Sequence, residues 1–138
     1  MNQENKTLKD RALPLGKYPH IKRVGNFIFV SGTSSRRPDN SHEGVEIHPD
    51  GSVTLDIKKQ TKAVIQNINT LLESIGASID NLVDVTTFLV NMEDFKGYNE
   101  VYSEFFDHTG PTRTTVAVKE LRHPNLLIEM KVIAMMTN

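Results

Sequence analysis

Cysteine is absent from the chain. That excludes disulfide cross-links and thiolate catalysis, and it agrees with a reducing compartment. Charge of one sign is also missing: 16 Lys and Arg against 17 Asp and Glu leave a formal charge of -1 over 138 residues. No overall field then favours nucleic acid or an anionic membrane, so electrostatic recognition has to be local. No apolar run approaches the length that crosses a bilayer, and the opening residues Met1 to Lys6 are polar, without the apolar stretch of a secretion signal. A soluble, cytoplasmic protein that binds neither nucleic acid nor membrane is the expectation. Phosphate-loop, nucleophile-elbow and zinc signatures are lacking as well. The five histidines do not fall at paired ligand spacings, and His42 and His48, which bracket a hairpin arm, bring too few donors for a metal.

What is present suits one domain with one core. Residues 1–13 are polar and aperiodic and read as a flexible arm; 14–138 form the domain. Ile21 to Ser31 predicts two short strands about the turn Gly25-Asn26, and Val45–Ile47 with Ser52–Leu55 predicts a hairpin about His48-Pro49-Asp50-Gly51. Asp56 can cap a helix whose apolar residues Val64, Ile68, Leu71, Leu72 and Ile75 recur at three-to-four spacing before Gly76. A β-rich run from Val83 to Val90 precedes a second helix begun by Asn91 and Asp94 and stopped by Gly110-Pro111. Its buried face is expected to comprise Phe95, Val101, Tyr102, Phe105 and Phe106. Strands Thr114–Val118 and Leu126–Ala134 follow. The pattern is α+β, a mostly antiparallel sheet with both helices on one face. The last strand is apolar at both parities, so the other face of the sheet should meet a partner.

Two charged residues stand out against this apolar background. Arg113 lies where the turn Gly110-Pro111 hands over to a β-branched run, which places its guanidinium at a strand mouth with a geometry suited to gripping a carboxylate. Glu129 interrupts the apolar run Leu127–Ala134, where an ionised group is costly unless paired or facing a cavity. These runs are consecutive along the chain, so the two groups are expected on neighbouring strands. A plainer reading stands beside this one: a surface arginine, and a strand-face ion pair of Glu129 with Lys131, two residues on.

Gly16-Lys17-Tyr18, Gly25 to Gly32, Asp84 to Asn91, Tyr98 to Tyr102, Pro111 to Thr114 and Ile128-Glu129-Met130 occur together and in order. In this the chain resembles the reactive-intermediate deaminases, the RidA/YjgF family, from about Gly16 to Ala134. Within that family Ser31 to Asn40 and Gly110 to Val118 are most similar to its 2-aminomuconate deaminases. The resemblance implies a chorismate-mutase-like fold, a homotrimer with its sites in clefts between subunits, and hydrolysis of small anionic enamines or imines without a cofactor. By the same resemblance Arg113 and Glu129 are catalytic, Arg113 binding the carboxylate next to the reacting carbon and Glu129 orienting or deprotonating water. Tyr18, Asn99, Ser31 and Gly32 would line the cleft. Thr115 stands where other members carry cysteine, leaving a hydroxyl that could hold water.

2-Aminomuconate carries two carboxylates, so a site for it needs a cation besides Arg113. Arg36 and Arg37, just beyond the Ser31-Gly32 strand end, are the candidates, with Lys17 and His20 after them; a solvated basic loop is the alternative. The expected reaction is conversion of 2-aminomuconate to 4-oxalocrotonate (2-oxohex-3-enedioate) and ammonia in aromatic-compound catabolism. A general 2-iminobutanoate/2-iminopropanoate deaminase would need only Arg113. A non-catalytic, chaperone-like trimer that binds small molecules in the same clefts is the third reading.

Overall fold

A computed structural model describes residues 2–137. Six strands form one sheet in the order β1 (Gln3–Lys6), β2 (Ile21–Val24), β3 (Phe27–Thr33), β8 (Ile128–Met135), β6 (Leu82–Leu89), β7 (Thr112–Ala117). All neighbours are antiparallel except β6 and β7. A separate hairpin, β4 (Val45–Ile47) with β5 (Val53–Leu55), turns through the left-handed Gly51 as its Pro-Asp-Gly signal predicts. The fold is the α+β arrangement expected from the sequence, a mixed sheet with its helices on one face.

Helix α1 (Ile57–Glu73) starts where Asp56 accepts from the backbone N–H of Lys59 at 3.0 Å, and the chain leaves it through Gly76 in the left-handed region. Its stripe Val64, Ile65, Ile68, Leu71 and Leu72 is buried against Ile28 and Val30 of β3, Val85 and Leu89 of β6, and Ile128, Met130 and Val132 of β8. Alternation along these strands sends Phe27, Phe29, Phe88, Glu129, Lys131 and Ile133 to the opposite, open face. Helix α2 (Phe95–Phe105) links β6 to β7. Asn91 caps the 3-10 turn that leads into it, whereas Asp94 makes no capping bond. The helix ends at Phe105, five residues before Gly110. Val101 and Tyr102 are buried as expected, and so is Tyr98, which sits on the same face.

The N-terminal residues depart from the aperiodic arm read from sequence. Gln3–Lys6 pairs with β2, and Lys6 Nζ donates to the carbonyl of Ser74 at 2.6 Å, tying the strand to the end of α1. Beyond it, Leu8 N–H donates to His20 Nδ1 at 2.9 Å, and His20 Nε2 donates to the carbonyl of Ala12 at 2.8 Å. None of this involves an apolar period, which is why composition did not show it.

Candidate functional site

Strand β3 slips by one residue against β8 between Val30 and Thr33, a bulge that takes Ser31 and Gly32 out of the regular ladder. Ser31 is held there by its hydroxyl, which donates to the carbonyl of Pro19 at 2.8 Å. Gly32 lies against Glu129: a Cβ at this position would fall 3.0 Å from Oε2 and 3.1 Å from Cδ of that carboxyl. The lack of a side chain at 32 is what lets the carboxyl occupy its place. Glu129 is half-buried, and burial raises its pKa above the usual glutamate value, with the charge of Arg122 opposing the rise. Lys131 does not pair with it; its Nζ turns to the carbonyl of Val30 at 3.5 Å.

Around Glu129 opens a cleft of about 280 Å³, lined among others by Tyr18, Ser31, Gly32, Arg36 and Arg122. Tyr18 is half exposed at its mouth. Arg11 and Asn67 also reach it, the guanidinium donating to Asn67 Oδ1 at 2.6 Å. Arg37 points elsewhere: its Nε donates to Glu43 at 3.0 Å and its Nη1 to Ser41 Oγ at 3.1 Å. Lys17 is exposed and outside the lining, whereas His20 lines the cleft with both ring nitrogens held by backbone. His42 stacks on His123, ring centroids 4.6 Å apart, rather than meeting His48.

Arg113 belongs to a different place. Its Cα pairs with Val85, whose side chain is buried beneath the helices, while Glu129 pairs with Phe88 on the open face. Strand β6 lies between β7 and β8. The expectation that Arg113 and Glu129 occupy neighbouring strands is therefore corrected: a strand separates them, and they emerge from opposite faces of the sheet. Arg113 Nη1 donates to Asn99 Oδ1 at 2.9 Å, and its guanidinium carbon lies 4.6 Å from the ring centroid of Tyr102, 5.1 Å from that of Tyr98 and 5.7 Å from that of Phe95. Such stacking fixes a guanidinium while leaving donors on its edge free. Tyr98 in turn shares hydrogen bonds with Thr87 at 2.7 Å and, more weakly, with Thr115 at 3.4 Å. Burial pushes the Tyr102 phenol up to about 12, so it stays protonated beside the arginine.

The sequence-derived residues thus fall into two constellations. Tyr18, Ser31, Gly32, Arg36 and Glu129 share one cleft; Arg113, Asn99 and Thr115 share the α2 side of β7. Arg11, Arg122 and Asn67 in the first, and Tyr98 with Thr87 in the second, were not singled out from sequence. Only the packed fold brings them to these positions.

Residues 9–136 match the family model described as endoribonuclease L-PSP. A RutC family protein of Pyrococcus abyssi is 45% identical over 121 residues, covering 88% of this chain and 87% of the relative. The crystal structure of yeast Mmf1 superposes with a TM-score of 0.83 at 29% identity, covering 99% of this chain and 100% of that one. That of E. coli TdcF, with bound serine, gives 0.79 at 25% identity over 97% and 99%.

Proposed function

The chain belongs to the RidA/YjgF family, the endoribonuclease L-PSP family of the match above, and on that premise we propose that it is a hydrolytic deaminase of small anionic enamines and imines that needs no cofactor. The observation that carries this reading is Glu129: a half-buried carboxyl without an ion-pair partner among the described residues, seated against Gly32 in a cleft lined by cations. The finer proposal is conversion of 2-aminomuconate to 4-oxalocrotonate and ammonia, in the cytoplasm, by a homotrimer. Arg113 and Glu129 cannot meet within one chain, so in this proposal each cleft is completed by the Arg113 constellation of a neighbouring copy. With a net charge of -1 the molecule offers little general attraction for a phosphate backbone, which favours a small anion over RNA.

The chemistry asks little of the protein. After the enamine tautomerises, the imine carbon is already electrophilic, and Arg113 fixes the carboxylate beside it with the guanidinium edge. Glu129 takes a proton as water adds to that carbon, then returns it to nitrogen. In the carbinolamine so formed Glu129 next takes the hydroxyl proton and passes it to the amino nitrogen, so that the C–N bond breaks, ammonia leaves and the carbonyl remains. A raised pKa suits a group that must both accept and return a proton near neutral pH.

A general monocarboxylate imine deaminase is the second reading, and the serine bound in TdcF, a ligand with a single carboxylate, favours it. Ammonia release from freshly generated 2-iminopropanoate and from 2-aminomuconate decides between them. Arg113→Lys keeps the charge but loses the fork, so it should cost on the order of 2 kcal/mol of transition-state stabilisation on either substrate. Absence of turnover on both would leave a binding protein and refute the deaminase.

A further inference from the structure

The Glu129 cleft holds more positive charge than its one carboxyl accounts for. Of the arginines lining it, Arg11 is engaged by Asn67, while Arg36 reaches only the carbonyl of Leu13, and Arg122 has no acid within ion-pair distance among the described residues. Arg36 and Arg122 lie close enough to oppose each other's charge: burial first, then Arg122, pulls the Arg36 pKa below the usual arginine value. Behind them His42 stacks on His123, its own pKa lowered by burial and then by His123, Arg122, Arg36 and Arg37. Only Arg37 is neutralised, by Glu43. Unpaired like charges facing one cavity cost folding free energy, and an anion in the cavity would relieve it.

Arg122 also stands on a held segment. Fully buried Gln60 donates to the carbonyl of Asn125 at 2.9 Å and accepts from the backbone N–H of Leu127 at the same distance, while His123 Nδ1 accepts from Asn125 N–H at 3.1 Å. The connection that leads from Arg122 into β8, and so to Glu129, is fixed to α1.

We propose that Arg122, with Arg36, forms a second anion subsite in the Glu129 cleft that grips the carboxylate remote from the reacting carbon, which makes unsaturated dicarboxylates the substrate class. The inference rests on the deaminase reading and goes beyond it by assigning a specificity-determining residue. Arg37, bound to Glu43 and Ser41, takes no part.

The test has two arms, each using the full-length protein. In the first, the ratio of kcat/KM for 2-aminomuconate to that for 2-iminopropanoate is measured for the parent, Arg122→Gln, Arg36→Gln and Arg37→Gln. The ratio should fall roughly tenfold or more for Arg122→Gln and Arg36→Gln and stay level for Arg37→Gln. In the second, calorimetry compares binding of muconate, which has two carboxylates, with that of sorbate, which has one on the same six-carbon skeleton. The parent should prefer muconate, Arg122→Gln should lose most of that preference, and Arg122→Lys should keep part of it. If the parent releases no ammonia from either imine, the deaminase reading fails and the calorimetry alone decides the subsite. A level turnover ratio for Arg122→Gln, or equal affinities for muconate and sorbate in the parent, overturns it.

Discussion

At the scale of single residues, the proposed chemistry depends on how closely the Gly32 backbone lies against the Glu129 carboxyl. The position needs no left-handed backbone; what it needs is the missing Cβ. Gly32→Ala should therefore fold with a thermal midpoint close to the parent yet displace the carboxyl and lower kcat about tenfold or more, some 1.4 kcal/mol. Unchanged turnover would show that the contact is incidental. Glu129 itself carries a stability cost whose sign follows from its raised pKa. Between the usual glutamate value and the raised folded one, the folded chain holds a proton that the unfolded chain has lost, so stability falls as pH rises through that window. Glu129→Gln removes the cost and should melt higher than the parent at neutral pH, the gap closing as pH falls through that window and gone below about 4. A gap that widens toward acid would contradict this. Glu129 and Arg113 were legible because a charge inside or at the mouth of an apolar strand is rare enough to notice. Arg122 was not, since an arginine in a polar connection looks like any solvated cation until the fold places it over a cavity.

At the scale of elements, periodicity did most of the reading. The three-to-four spacing of Val64, Ile68, Leu71 and Leu72 and the cap at Asp56 gave α1, and alternation with turn residues gave β2 to β5. Strand order was not available from pattern. The insertion of β6 between β8 and β7, which sets Arg113 and Glu129 on opposite faces, depends on which strands pair, and pairing is a backbone property that side-chain periods do not record. The polar strand β1 escaped notice for the same reason, being an exposed edge held by main-chain bonds and by Lys6. Helix α2 does more than cover the sheet, because Phe95, Tyr98, Asn99 and Tyr102 on it hold Arg113. Tyr98→Phe leaves the fully buried Thr87 hydroxyl without its partner and should cost about 1–3 kcal/mol in urea denaturation. Adding Thr87→Val should recover much of that loss. A double variant as unstable as Tyr98→Phe alone would assign the effect to packing instead.

At the scale of the whole molecule, the open face of the sheet presents Phe27, Phe29, Val116 and Met135, each more than a third exposed, on a chain whose helices cover only the other side. An apolar surface of this kind is suited to burial against other copies. The sequence hinted at it through the apolar parities of β8, although only Ile133 of the triplet Val132-Ile133-Ala134 faces that way. In the proposed mechanism oligomerisation and catalysis are one question, since the Arg113 and Glu129 constellations form its site only when different chains supply them. Mixing tests this most directly. Arg113→Ala and Glu129→Gln should each be inactive alone. Unfolded together in equal amounts and refolded, they should regain ammonia release from 2-aminomuconate at about a quarter of parental sites, because that fraction of clefts in a ring receives an intact arginine from one variant and an intact glutamate from the other. A mixture that stays as inactive as its components, from variants that refold and assemble, would contradict a site shared between chains.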